Sequence, residues 1–430
     1  MSNVIWIGSA VVLAIAATIL ACAGNAGVVL AGLAIVALLI TLGFPRARAV
    51  FFAAAGCLLI VFASSVFIPD DGATASIALR VAGTVLLVGG AIQSAAHGFT
   101  ASRAERRLVF AWLMTLLVPV ALYITLATIP HSMWATFLSY GIGVILMAAI
   151  VTSSAPQLAS GTLRQAVVLA LATTIIASLL AGFLIPDLAI EQGRLRGVLN
   201  NANLLGFYAF LLGVVALTLV KRAPARWGLL GVSAITLLWT ASRASTLALV
   251  IAVIVLILFT RFATGVLVAG ALALVGVCVG LVWPNFFDLF DGIVRGNNSR
   301  SGSWDVAVSA LNLSPWSGVG LGNEASIIAS SPLRAAADAG YPGLITIAIL
   351  WLAMLVLSAR IGGRVFALTV AAVIHSCFEG WLLSPVGPMI LIFAMTWLTI
   401  ADLDIGRRNA PLASSTPTGL PEFRPQRATA

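Results

Sequence analysis

The chain has 430 residues, of which 61% are apolar and only 9% are charged, and its mean hydropathy is +1.11. Soluble domains carry about 25% charged residues, so this composition excludes a protein whose main solvent is water. The net charge of +9 could indicate nucleic-acid binding, but the basic residues follow a topological pattern instead. No window alternates with a period of two, which excludes a transmembrane barrel on pattern. The four cysteines lie in apolar runs without metal-ligand spacing, so we expect neither a disulfide nor a metal site.

Apolar runs about 20 residues long recur along the chain, and each could cross ~30 Å of hydrocarbon as a helix. The first run, Val4 to Ala23, lacks a positive n-region and a cleavage site, so we predict a retained helix. The pattern predicts an all-α, polytopic integral membrane helical bundle with about 12–14 transmembrane helices. The predicted spans are residues 4–23, 27–43, 50–68, 77–97, 108–129, 133–152, 165–185, 203–220, 227–241, 245–260, 263–283, 342–358, 365–383 and 388–401.

Basic residues occupy every second predicted loop. Cytoplasmic loops of membrane proteins carry an excess of Lys and Arg. We therefore expect a multi-pass plasma membrane protein with both termini in the cytoplasm, and no nucleic-acid partner. The basic residues that follow this pattern are Arg46, Arg48, Arg103, Arg106, Arg107, Arg164, Lys221, Arg222, Arg226, Arg261, Arg360, Arg364, Arg407 and Arg408.

Two loops on the predicted outer face are long, a smaller one at residues 186–202 and a large one at 284–341. Long ordered loops in a compact protein are usually functional. Both belong to a single predicted transmembrane domain, residues 1–405. Residues 406–430 are rich in Pro, Ser, Thr and Ala, and we predict a disordered cytoplasmic tail.

Seven arginines lie on or near the predicted outer face, where the positive-inside bias disfavours them. Pairing with nearby acids or plain solvation explains any single one as well as function does. As a group they favour function, because they cluster in a few segments. They are Arg80, Arg194, Arg196, Arg243, Arg295, Arg300 and Arg334.

The first polar segment, residues 194–203, reads Arg-Leu-Arg-Gly-Val-Leu-Asn-Asn-Ala-Asn and directly precedes a predicted span. Arg194 and Arg196 suit bidentate recognition of phosphate or carboxylate. Asn203 could cap the following helix, whose free N–H groups favour a nearby anion. Simple capping and turn chemistry, with Gly197 at the turn, is the alternative, and we favour it for Asn200 alone.

The second segment places Arg243, after Ser242, between two predicted spans with almost no loop. An arginine held at the membrane boundary by helix ends is costly unless it pairs or has a function. Snorkelling of the side chain to lipid headgroups is the alternative. We favour a functional arginine.

The third segment lies in the large loop, where Arg300 and Trp304 precede a run from Pro315 to Glu324 with alternating glycines. Residues 303–313 could form a short helix with Ser303 as its cap. The glycines allow a close backbone approach or a tight turn. The loop then passes Arg334 before the next span.

The order of these segments resembles the O-antigen ligase and polymerase superfamily of bacterial envelope polysaccharide enzymes. Members often show an Arg-x-x-Gly-x-x-x-Asn-Pro-Asn segment before a helix. Arg194, Gly197, Asn201 and Asn203 match it, while Ala202 stands where proline is usual.

Two further motifs carry the resemblance. A Ser-Arg pair at a helix end is matched by Ser242 and Arg243. A large outer loop carries Arg, Trp and a Pro-x-x-Gly-x-Gly-x-Gly run. The matching residues are Arg300, Trp304, Pro315, Gly318, Gly320 and Gly322.

One family feature is missing, because the late-loop His-Asn pair is replaced here by Ala329 and Ser330. In ligases that histidine is commonly treated as important for catalysis, so its absence puts a standard ligase mechanism in doubt. Glu324, Asp338 or Glu379 is the hypothetical replacement base, or activation is electrostatic only. We interpret His375 as a packed helix residue rather than a replacement base.

The resemblance implies that a glycan on a polyprenyl diphosphate carrier is transferred to the hydroxyl of a glycan or lipid acceptor, so donor, acceptor and bilayer are the expected partners. Outer arginines could stabilise the leaving diphosphate without a metal or other cofactor. We assign catalysis to Arg194, Arg243, Arg300 and Glu324. We assign substrate binding to Arg196, Asn201, Asn203, Trp304 and Arg334.

Two alternatives from other classes remain open. A lipid-linked glycan flippase or other transporter would place charges within its spans along a central cavity, and few are present. A non-catalytic relative that binds lipid-linked glycan would account for the missing histidine. The sequence does not decide between ligase and polymerase activity.

Overall fold

The computed structural model describes residues 45–68, 73–260, 301–321, 328–385 and 387–409. It confirms the all-α, polytopic class, since seven of the described helices are long and apolar enough to cross a membrane. The predicted spans 4–23, 27–43 and 263–283, and residues 410–430 of the predicted tail, lie outside the described residues.

The helices begin and end within several residues of most predicted spans. They are α1 (Pro45–Phe62), α2 (Ala73–Ala96), α3 (Arg103–Thr128), α4 (Trp134–Ala159), α5 (Thr162–Leu184), α6 (Pro186–Ala189), α7 (Ala202–Leu219), α8 (Ala223–Thr240), α9 (Arg243–Thr260), α10 (Ser301–Leu313), α11 (Ser331–Ile361), α12 (Gly363–Phe378) and α13 (Pro388–Asn409). The short helix predicted at residues 303–313 is confirmed by α10, but the predicted cap is wrong, because α10 begins at Ser301 and Ser303 lies within it. The last helix, α13, runs past Ile405, where the predicted tail begins.

Local sequence explains several helix starts. Ser102 and Glu105 form a reciprocal capping box at the start of α3, where serine accepts from one backbone N–H and glutamate from another. Asn201 is the cap of α7, because its side-chain oxygen accepts from the backbone N–H of Asn203 at 2.7 Å. Both caps satisfy donors that the helix itself leaves unpaired.

Helix α7 lies at the centre of the bundle. Of its spanning window, 89% is buried, against 28% for α2 and 22% for α4. A helix that is apolar all round and buried all round belongs to the interior. It packs against α5, α8, α9 and α13. Residues at the first turn of α7 are therefore surrounded by the ends of other helices.

The predicted smaller loop is ordered around a two-stranded hairpin. Strands β1 (Ile190–Glu191) and β2 (Arg194–Leu195) pair antiparallel through a turn at Gln192 and Gly193, which both have positive φ. Gly197 follows with φ of 62° and a backbone so close to Ser178 that a Cβ would collide with it. The hairpin thereby places Arg194 beside the start of α7.

Helix α11 is broken by a kink at Ala339 and Gly340. The segment Pro315–Leu321, here called the glycine run, lies along this kink and bonds to it through its backbone. The N–H of Val319 donates to the carbonyl of Ala337 at 2.8 Å, and the N–H of Tyr341 donates to the carbonyl of Pro315 at 2.7 Å. The predicted close backbone approach is confirmed, and the first part of α11 lies within the predicted large loop.

Gly318→Ala should destabilise the protein, because Gly318 has φ of 65° and an added Cβ would overlap the backbone of Asp338. The left-handed conformation alone costs an L-residue about 1–2 kcal/mol, and the overlap adds to it. A lower melting temperature in detergent should show this. Gly141→Ala is the matched control, because a Cβ there meets nothing within 4 Å and should be neutral or stabilising. Equal melting temperatures for both variants would contradict the docked glycine run.

Candidate functional site

Arg194 joins the hairpin to two helix ends. Its Nε–H donates to the carbonyl of Thr240 at 2.8 Å, at the end of α8, and its Nη2 donates to Oδ1 of Asn203 at 2.5 Å, at the start of α7. The guanidinium is half-buried. Two directional contacts on different elements fix the plane of this cation, which a flexible surface arginine would not achieve.

Asn203 also hydrogen-bonds to a carboxylate. Its Nδ2 donates to Oε1 of Glu379 at 3.0 Å. Because Arg194 only donates and Glu379 accepts, the amide satisfies both partners only with its oxygen towards the arginine. These three side chains form a continuous series, here called the Arg194–Asn203–Glu379 chain.

Glu379 lies at the end of α12 and is half-buried. Its carbonyl accepts from Oγ of Ser331 at 2.8 Å, and the carbonyl of the next residue, Gly380, accepts from Nη1 of Arg334 at 3.4 Å. Ser331 and Arg334 are one turn apart at the start of α11. The structure therefore brings the starts of α7 and α11 together at the end of α12.

Arg334 also belongs to a buried network with Asp338 and Tyr123. Its Nε lies 3.6 Å from Oδ2 of Asp338, whose carboxylate is fully buried and also accepts from the hydroxyl of Tyr123. A carboxylate enclosed in this way ties α11 to α3, which suits a structural role better than contact with a substrate hydroxyl.

Arg243 begins α9 and is exposed. Buried polar side chains connect the start of α9 to α12. Oγ of Ser242 donates to Oγ of Ser245 at 2.9 Å, and Oγ of Ser245 lies 3.1 Å from Nε2 of His375. Trp381 donates its Nε1–H to Nδ1 of His375 at 3.0 Å, so the imidazole proton is on Nε2. His375 is fully buried, as predicted for a packed helix residue.

The remaining predicted site residues are placed as follows. Arg196 contacts residues close to it in sequence: its guanidinium lies 3.5 Å from the carboxylate of Glu191 and donates to the carbonyl of Leu188. Asn201 is the cap of α7. Trp304 lies on α10 with 38% of its surface exposed. Arg300 and Glu324 lie outside the described residues.

Sequence reasoning missed Tyr123, which holds Asp338 from within a predicted span. The chain has only four tyrosines, so a hydroxyl in an apolar span was the available signal. Such a group needs a polar partner in the bundle interior. In the part of the chain that the structure describes, no group of three or more His, Cys, Asp or Glu residues could hold a metal.

The fold and the polar contacts define a class: a multi-pass helical membrane protein with an arginine, amide and carboxylate series where helix ends meet. Residues 228–347 match the family model described as O-antigen ligase. The match supports an O-antigen ligase-like family and confirms the resemblance inferred from the motifs. No curated protein matches the sequence.

The matched residues cover less than a third of the chain. They include Arg243, the glycine run and Arg334, whereas Arg194, Asn203 and Glu379 lie on either side of the match. The match supports a family that transfers cell-envelope glycans and suggests a glycosyl-transferring enzyme. The chain's own contacts connect the matched and unmatched parts, since Arg334 in one reaches Gly380 in the other.

Asn203→Asp should lower the free energy of unfolding more in the wild-type background, where Glu379 is present, than in the Glu379→Gln background. In the first case two carboxylates face each other, whereas Glu379→Gln supplies an amide donor to the new carboxylate. The difference should be about 1–3 kcal/mol, as for a hydrogen bond to a charged group. A double-mutant cycle from denaturation in detergent measures it.

The control for this cycle pairs Asn203→Asp with Glu191→Gln, because Glu191 contacts Arg196 in the hairpin instead. Those two changes should add without coupling. Additive effects in both pairs would show that Asn203 and Glu379 do not meet.

Proposed function

We propose that this protein transfers a glycan from a polyprenyl diphosphate carrier to an acceptor hydroxyl during synthesis of a cell-envelope polysaccharide. The observation that supports this most strongly is the Arg194–Asn203–Glu379 chain, which holds a cation and a carboxylate at one place. The match to the O-antigen ligase family supports the same chemistry.

In this proposal the bond between the anomeric carbon of the sugar and the diphosphate oxygen breaks. The diphosphate leaves with the electron pair, and a bond forms from the anomeric carbon to the acceptor oxygen. The acceptor proton passes to a protein base. Fixed cations stabilise the charge that develops on the diphosphate, which is the largest single contribution in many enzymes.

Arg194, Arg243 and Arg300 are the proposed diphosphate-binding cations, with Arg196 in support. Arg194 is oriented by two protein acceptors, and Arg243 stands at the start of α9 on a buried polar series. Arginine matches phosphate oxygens with a rigid fork of donors. Asn201 and Asn203 would order this surface, while Trp304 and Arg334 would contact the glycan side.

Glu379 and Glu324 are the proposed bases. Glu379 is half-buried and held by an amide, so its carboxylate has a defined direction without being enclosed. Asp338 is less suitable, because its carboxylate is fully buried and already bound by Tyr123 and Arg334. A positioned base contributes about 10²–10⁴-fold to rate.

We place this site at the extracytoplasmic face of the plasma membrane with both termini in the cytoplasm. The alternation of basic loops supports this orientation, because the described helix ends with basic clusters lie at the other ends of the spans. Long outer loops at residues 186–202 and 284–341 would then surround the site.

The test is the lipid-linked glycan pool, measured by mass spectrometry in cells depleted of the protein and complemented with variants. Arg194→Gln and Arg243→Gln should each reduce turnover by about 10²–10³-fold, as for loss of one charge-stabilising donor. Glu379→Gln should reduce it by about 10²–10⁴-fold. Arg226→Gln is the matched control, because Arg226 lies over Trp227 away from the site residues and should restore the pool.

The accumulating species identifies the reaction. Single repeat units on the outer-leaflet carrier indicate a polymerase, and long chains there indicate a ligase. Units trapped on the cytoplasmic leaflet would replace the proposal with a flippase. A pool unchanged by depletion, or full activity of both arginine variants, would favour a relative that binds lipid-linked glycan without catalysis.

A further inference from the structure

Arg80 takes no part in the proposed catalytic chain. It lies on α2 beside a stripe of exposed apolar side chains, Ile77 at 53%, Val81 at 39% and Val85 at 62% exposed, which face the surroundings of the bundle. Thr84, one turn further along, is buried at 5% exposed. Arg80 is therefore at the boundary between the lipid-facing and the packed side of the helix, where an arginine is costly unless it binds something.

A backbone bridge brings the start of α2 close to the start of α7. Oγ of Ser76 donates to the carbonyl of Ala63 at 2.7 Å. The adjoining carbonyl, that of Ser64, accepts from the N–H of Asn200 at 2.9 Å. Residues 63–66 thus connect the first turn of α2 to the residues that enter α7.

Tyr208 lies on α7 near Arg80 of α2, just beyond this bridge. Arg80 lies one turn beyond Ser76 on α2, and Tyr208 lies in the second turn of α7. The phenol is fully buried and close enough to the guanidinium to interact with it electrostatically. One cation and one hydroxyl are therefore near each other between α2 and α7.

Both polar atoms lack a partner. Nε of Arg80 and the hydroxyl of Tyr208 are buried and make no hydrogen bond to any residue within the described ranges. A buried donor left without a partner costs about 1–3 kcal/mol, and more when it is charged. Native proteins keep few such groups, and a ligand that supplies the acceptor is one explanation.

We propose that Arg80 and Tyr208 form a binding site for the phosphate of a lipid that enters sideways from the bilayer. The guanidinium fork and the phenol are both donors, and phosphate oxygens are acceptors that carry the complementary charge. The lipid chains would lie along the apolar stripe of α2. A phospholipid headgroup and a polyprenyl phosphate share this chemistry, and only the second source rests on the proposed function.

The experiment uses the full-length protein in detergent and records its melting temperature with added phosphatidylglycerol, a polyprenyl phosphate or uncharged diacylglycerol. A phosphate-bearing lipid should raise the melting temperature, and diacylglycerol should not. Arg80→Leu should melt higher than the wild type without lipid, because the buried Nε donor without a partner is removed, yet should lose the lipid-induced rise. Arg222→Gln, at an exposed arginine elsewhere, is the control and should keep it.

Tyr208→Phe removes only the hydroxyl, and it is the variant that tests the site if Arg80→Leu does not fold. It should weaken phosphate-lipid binding by roughly tenfold, as expected for one lost hydrogen bond to a charged group. A rise with both phosphate lipids identifies a general headgroup site, and a rise with the polyprenyl phosphate alone identifies a carrier site. Because binding is measured without turnover, failure of glycan transfer and failure of this site are separable.

Two results would overturn the proposal. One is an equal lipid-induced rise in the wild type, Arg80→Leu and Tyr208→Phe. The other is a lower melting temperature of lipid-free Arg80→Leu, which would show that the cation stabilises the fold through a protein partner.

Discussion

The site depends on directional hydrogen bonds between half-buried polar side chains where helix ends meet. Arg194 can only donate and Oε1 of Glu379 accepts, so Asn203 fits between them in one orientation. Each partner comes from a different element: the hairpin, the central helix α7 and the end of α12. Moving any one of them would break a directional contact that joins two elements. The bundle therefore positions the charges, and the charges fix how the helix ends meet.

Backbone groups at the kink of α11 also need hydrogen-bond partners. Breaking a helix frees N–H and carbonyl groups, and the glycine run satisfies several of them through its own main chain. Glycines at 318 and 340 permit the approach, since a Cβ at either would overlap the opposite backbone. The kink in turn presents Arg334 to Gly380 and Asp338 to Tyr123. The kinked helix thus connects the large-loop region to Gly380, which follows Glu379 of the Arg194–Asn203–Glu379 chain.

The sequence could predict the fold class and most spans, because apolar length and the alternation of basic loops are local properties. It also pointed to Arg194 and Asn203, where polar residues are dense before a span. It did not show that Glu379 meets Asn203 or that Tyr123 meets Asp338. Those pairs are 176 and 215 residues apart, and only helix packing joins them. The roles of Arg300 and Glu324 stay predictions, because both residues lie outside the described part of the chain.

The central claim is that Arg194 and Arg243 bind the carrier diphosphate while Glu379 faces the sugar. An electron cryo-microscopy structure of the protein with a polyprenyl diphosphate-linked sugar tests it most directly. We expect phosphate oxygens about 2.7–2.9 Å from both guanidinium groups, the range of charge-assisted hydrogen bonds. We also expect the Glu379 carboxylate on the acceptor side of the anomeric carbon. A diphosphate bound away from both arginines, with the Arg194–Asn203–Glu379 chain unchanged, would contradict it.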